Sequence, residues 1–153
     1  MHQYTIPAYK VMLVRDGSVT TPSKNVGQSQ DAVTVFRNFL GDVDREHFMV
    51  MMLDKKHKII GVNIVSIGSL DSAVVVPREV FKPAIVSNSA AIILGHNHPS
   101  GVPDPSLQDN QLTARLVAAG DLLGITVLDH LVLGDGTTTY YSYADQGTLH
   151  PYE

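Results

Sequence analysis

Apolar positions along the 153 residues recur with two periods, and those periods predict the elements of the fold. From Tyr9 to Arg15 (Y-K-V-M-L-V-R) the alternation predicts a short strand, closed by the turn pair Asp16-Gly17. A polar loop through Pro22 and Gly27 follows. Val33, Phe36, Phe39 and Leu40 then share one helical face, with Ser29 or Asp31 as the expected cap and Gly41 as the stop. The run F-M-V-M-M-L (48–53) reads as a buried strand, and the turn Asp54 to Lys58 joins it to a hairpin partner over 59–68. Pro77 opens a short helix reaching Val86, since proline suits the first helical turn. The wholly apolar run A-A-I-I-L-G (90–95) has the character of a central strand covered on both faces. The clearest helix spans about Ser106 to Leu123, with Leu112, Leu116, Ala119 and Leu123 apolar and Gly124 as the stop. Strands over 125–133 and 137–143, joined by Gly134-Asp135-Gly136, complete the pattern.

Strands and helices interleave with no repeat and no linker, so the expected class is α/β or α+β, a mixed sheet covered by helices. A chain of 153 residues is about one domain's worth of sequence. No apolar run approaches the roughly 20 residues of a membrane span. The start, Met1-His2-Gln3-Tyr4, lacks the basic and apolar segments of a signal peptide, so a cytoplasmic chain is expected. The absence of cysteine excludes disulfides, thiolate nucleophiles and cysteine-bound zinc, leaving His, Asp and Glu to hold any metal. The charge is unevenly spread. Residues 1–82 carry ten Lys and Arg against eight Asp and Glu, whereas 83–153 carry Arg115 alone against seven acids. The second half therefore cannot offer the basic face that meets phosphates, and DNA is a doubtful partner. Lys55-Lys56 reads as a solvated turn, and His2, His47, His57 and His150 as surface or turn residues.

Chemistry concentrates in H-N-H-P-S-G-V-P-D-P-S-L-Q-D, residues 96–109. His96 and His98 stand two apart at the end of the apolar strand, where extended chain turns both imidazoles to one side. Asp109 lies in the first turn of the following helix, which must begin near that strand end. Two His and one Asp suit zinc, and three ligands rather than four leave a position for a water. Pro99, Gly101, Pro103 and Pro105 stiffen the connecting loop. Ser106 has two available roles, helix cap and participant in the chemistry, which are compatible.

The pattern H-x-H, seven residues, Ser, two residues, Asp resembles the signature of the JAB/MPN (JAMM) metalloprotease superfamily. The longer string, with L-D-H at 128–130, is similar to the bacterial RadC branch, and the likeness runs from about Ser29 to Gly136. The resemblance implies a three-layer α/β/α fold with a mixed sheet, like that of cytidine deaminases. It implies zinc on His96, His98 and Asp109, with Ser106 stabilising an oxyanion. It also implies an upstream Glu that takes a proton from the zinc-bound water. Glu46, in D-R-E-H-F, matches that position, while Glu79 reads as an exposed helix residue. Asp129 or His130 is a candidate to orient a ligand, the alternative being a structural role. The resemblance therefore implies a zinc hydrolase of peptide or isopeptide bonds. The alternative it leaves open is a DNA-repair-associated protein of RadC type, possibly without catalysis. Full-length RadC proteins carry a helix-hairpin-helix region ahead of the metal domain. No paired-helix hairpin is expected in the 45 residues before Glu46. The chain is thus expected to be one domain over 1–153, with its core at about 29–136, acting on a protein or peptide.

Overall fold

The structure, a computed structural model, describes residues 1–68 and 75–152. Strand β1 (His47–Leu53) is an interior strand of the sheet, and all seven of its residues are buried. A strand without a single solvent-facing position must be covered on both faces. Strand β2 (Ile59–Ile67) pairs antiparallel along one side of β1, and β3 (Ala91–His98) antiparallel along the other. Strand β4 (Thr126–Gly134) runs parallel to β3, reached through helix α3 (Leu107–Leu123), and β5 (Tyr140–Ser142) pairs antiparallel to β4. The sheet order is β2-β1-β3-β4-β5.

Period-2 alternation splits the sheet into two cores. Phe48, Val50, Ile92 and Leu94 pack with Val80 and Phe81 of helix α2 (Pro77–Val86) and with Leu112 and Leu116 of α3. Met49, Met51, Ile93 and Leu131 pack on the other face against Val33 and Phe36 of helix α1 (Ser29–Leu40). The result is the expected mixed sheet between helical layers, with three helices among the described residues. No helix among the described residues is long and apolar enough to cross a membrane.

Most of the predicted elements are present, and the departures have local causes. Tyr9–Arg15 is not a strand: among the described residues it pairs with no strand, and Tyr9 and Val11 stand exposed. Alternation favours an extended chain, but a strand also requires a partner edge. The cap of α1 is Gln28 rather than Ser29 or Asp31. Asp31 instead accepts from the backbone N–H of Gly27 and Gln28, and Ser29 turns to Tyr140 and Asp145. Leu123, expected on the buried face of α3, is exposed. Strand β5 is only Tyr140–Ser142, while β3 runs on to His98, so both site histidines belong to the strand. His47 is buried at the start of β1, contrary to its surface expectation, and its Nδ1–H donates to the Arg45 carbonyl.

Candidate metal centre

Alternation along β3 divides its last residues between two jobs. His96 and His98 project toward α3, and Asn97 projects the other way. One ligand atom each from His96, His98 and Asp109 lies within 4.8 Å of the others, the spacing of groups that can share one ion. His96 Nε2 is 3.4 Å from Asp109 Oδ1, and His98 Nε2 is 3.3 Å from Asp109 Oδ2. The two Nε2 atoms are 3.1 Å apart. His96 and Asp109 are buried and His98 is half-buried, so the cluster opens to solvent on the His98 side.

Asp109 is held by the helix start itself. Ser106 caps α3, its Oγ accepting from Asp109 N–H at 3.1 Å while Ser106 N–H donates to Asp109 Oδ2 at 2.8 Å. This reciprocal box fixes the carboxylate's rotamer, and such a cap is worth about 1 kcal/mol. The cap reading of Ser106 is therefore what the geometry gives, and the hydroxyl's own proton is left for a further partner. The loop between strand and helix folds back on the β4–β5 turn, with Gly101 N–H and Asp135 N–H both donating to the His98 carbonyl. Gly101 sits at φ +85°, a left-handed conformation that glycine adopts at little cost.

The electrostatics follow from these contacts. Burial alone would raise the Asp109 pKa, but its contacts with His96 and His98 outweigh burial and hold it far below the usual carboxylate range. His98 is raised, first by Asp109 and then, against burial, by the Val102 carbonyl and the charge of Glu46. That carbonyl accepts from His98 Nδ1–H at 2.8 Å, so in the neutral ring the lone pair is on Nε2.

Glu46 immediately precedes β1. In the antiparallel β1–β3 register Phe48 faces His96, so two residues further out Glu46 comes level with His98. Asn97 secures this approach. Its Oδ1 accepts from His47 N–H at 2.7 Å and its Nδ2 donates to the Arg45 carbonyl at 3.0 Å, gripping the backbone on either side of Glu46. The same amide donates to Asp135 Oδ2 at 2.7 Å. An open depression of about 530 Å³, lined by Asp42, Val43, Asp44, Arg45, His47 and Ile67, adjoins this segment. Glu79, by contrast, pairs with Lys82 on α2.

The choice between Asp129 and His130 is made by a bulge. Ile92 pairs with Val127 but Ile93 with Asp129, leaving Leu128 as an extra residue in β4. His130 is thereby brought opposite Leu94, on the face toward α3. It stacks on Tyr143 at 5.1 Å, meets Phe48 edge-on and contacts His96. Burial first, then the charge of His96, depresses its pKa and keeps the ring neutral. Asp129 turns away and braces β5, accepting from Ser142 Oγ at 2.6 Å and from Ala144 N–H. Sequence reasoning missed Thr113, Asn97, Phe48 and Tyr143 as neighbours of the site. Thr113 was signalled only by standing four residues after Asp109 on the same helix face.

The fold and the cluster together define an α/β domain with a group of two histidines and one aspartate that could hold a cation at one end of its sheet. The chain belongs to the RadC-like JAB domain family, whose model matches residues 26–148. A UPF0758 protein of Caldanaerobacter subterraneus is 47% identical over 130 residues, 83% of this chain and 53% of the relative. UPF0758 proteins of Rubrobacter xylanophilus (42% over 124 residues, 81% and 53%) and Moorella thermoacetica (55% over 97 residues, 63% and 42%) are similar. The chain spans about half the length of these curated relatives.

Proposed function

We propose that this domain is a zinc-dependent hydrolase of amide bonds, a cytoplasmic metallopeptidase or isopeptidase acting on a protein or peptide. The observation that carries this reading is the convergence of His96, His98 and Asp109 ligand atoms within 4.8 Å, three protein groups among the described residues. Two imidazoles and a carboxylate fit zinc in ligand type, and a closed structural site would use four. When bound, zinc supplies Lewis-acid chemistry, polarising a carbonyl and lowering the pKa of a coordinated water to about 7.

The chain's own residues supply the rest. Glu46, level with His98, takes the proton of the attacking water and passes it to the leaving amine nitrogen. Ser106 keeps its hydroxyl proton for the oxyanion that develops on the substrate carbonyl, while its oxygen stays at the cap. Asn97 keeps the Glu46 backbone in place, and Asp109 remains ionised throughout. The His98 side of the cluster is where the substrate carbonyl enters.

Elemental analysis of the purified protein tests the reading, followed by profiling on peptide and isopeptide libraries. One zinc per chain is expected, lost in His96→Ala and His98→Ala, with cleavage of at least one library class. Full zinc occupancy in the double variant sinks the ligand assignment, and a zinc-loaded protein that cleaves no library member sinks the peptidase reading.

A further inference from the structure

Beneath the cation site runs a chain of buried hydrogen bonds whose direction is set from both ends. Thr113 Oγ1 lies 2.7 Å from the Asp109 backbone carbonyl, which only accepts, so the single hydroxyl proton of Thr113 is committed there. The same Oγ1 lies 2.6 Å from His130 Nδ1 and must therefore accept from it. At the other end His96 turns Nε2 toward Asp109 Oδ1 and His98, so as a ligand through Nε2 it carries its proton on Nδ1. That Nδ1 is 2.8 Å from His130 Nε2, which accepts from it.

We propose that Thr113 and His130 are positioning residues that lock His96 in the Nδ1–H tautomer and present its Nε2 lone pair to the ion, a role that rests on the metal-centre reading above. The wire begins at the backbone of one ligand, Asp109, and ends on the ring of another, His96. The two ligands are thereby tied together through residues that touch no ion. The wire is buried and packed between aromatic rings. Thr113, His130 and His96 are all essentially without solvent exposure. The His130 ring is pinned between the stacked Tyr143 and the edge of Phe48. The His96 ring lies nearly parallel to Phe48, at 14°. Ligand histidines are commonly oriented by an acceptor on their second nitrogen, and loss of such a partner weakens metal binding about 10–100-fold. Here a neutral histidine fills the place usually taken by a carboxylate or carbonyl, and a threonine decides which way it points.

Long-range ¹H–¹⁵N NMR of the ring nitrogens and zinc competition against a chromophoric chelator test the wire together. In the full chain, with or without zinc, His130 is expected as the Nδ1–H tautomer with a bare Nε2. Thr113→Val, which removes the hydroxyl, is expected to bind zinc about 10–100-fold more weakly, while Thr113→Ser stays near the parent. An Nε2–H or doubly protonated His130 overturns the proposal, as does a folded Thr113→Val with parental zinc affinity. Should Thr113→Val fail to fold, the ring spectra of the parent still decide. A parent that binds no zinc at all overturns the metal-centre reading instead, and the metal-free spectra judge the wire by itself.

Discussion

Gly95 immediately precedes the first histidine of the site and lies on the opposite face of β3, against α1. A Cβ built there would stand 2.7, 2.8 and 3.0 Å from Cε2, Cδ2 and Cζ of Phe36. Carbon pairs settle at about 3.5–4.0 Å, so Gly95→Ala drives a methyl well inside contact with three ring atoms. Phe36 has no solvent exposure, which leaves the ring nowhere to swing. Either α1 lifts or β3 bends. Overpacking of this kind costs about 1–3 kcal/mol, and alanine's usual advantage over glycine in a strand offsets roughly 0.5–1 kcal/mol. The net loss is about 1–2 kcal/mol, and at about 2–4 °C per kcal/mol for a chain of this size the midpoint falls by about 2–8 °C. Thermal unfolding of chelator-treated protein is the assay, because bound metal would mask the loss by mass action. Phe36→Leu opens the space, so the double variant should be more stable than the sum of the singles by about 1 kcal/mol. A Gly95→Ala midpoint at or above the parent's, with additive behaviour in the double variant, would refute the reasoning.

The remaining predictions concern the site and its partners. Glu46→Gln should keep both zinc and fold while losing about 10²–10⁴-fold in turnover on the substrate found by library profiling; zinc loss would make Glu46 a ligand instead. Ser106→Gly and Ser106→Ala should separate the two roles of that residue: glycine caps nearly as well as serine, whereas alanine costs about 1 kcal/mol. Both should lose about 10²–10³-fold in turnover, and normal turnover in Ser106→Gly would reduce the serine to a cap. Duplex DNA should bind weakly and with a shallow salt slope, because residues 83–153 hold one base against seven acids; tight, steeply salt-dependent binding of labelled duplex reverses this expectation.

The sequence was informative wherever one local rule acted without competition. Pro77 and Gly124 marked real helix boundaries, and the unbroken apolar runs at 48–53 and 90–95 marked the strands covered on both faces. The i, i+2 rule placed His96 and His98 together correctly. What escaped was whatever depended on a partner. Tyr9–Arg15 has the alternation of a strand but no edge to join, and only the fold shows that. His47 reads as a polar residue near a turn, yet the Arg45 carbonyl and the Asn97 amide make its burial affordable. The choice between Asp129 and His130 turned on one unpaired residue, Leu128, because a single-residue slip moves every later side chain to the opposite face. Bulges leave no reliable mark in hydrophobic pattern, so the two residues were indistinguishable beforehand.

Strand direction explains why the site gathers where it does. Strands β3 and β4 are parallel, so both run toward the same edge; in their register His130 lies opposite Leu94, two residues before His96, whose ring it meets. Strand β1 is antiparallel to β3, so its beginning rather than its end arrives there, and the residue just before a strand, Glu46, joins the group. Helix α3 leaves from that same edge, and its first turn presents Asp109 with the N–H groups and positive dipole end that favour a carboxylate. Four chain segments thus deliver side chains to one place without a long excursion by any of them. Within β3 the faces then divide the labour: His96 and His98 serve the cation cluster on one side, and Asn97 anchors the Glu46 segment from the other. The two-residue spacing of the histidines is therefore not free to vary. A spacing of one or three would send one imidazole toward α1, and a spacing of one would put it where the amide that steadies Glu46 has to be.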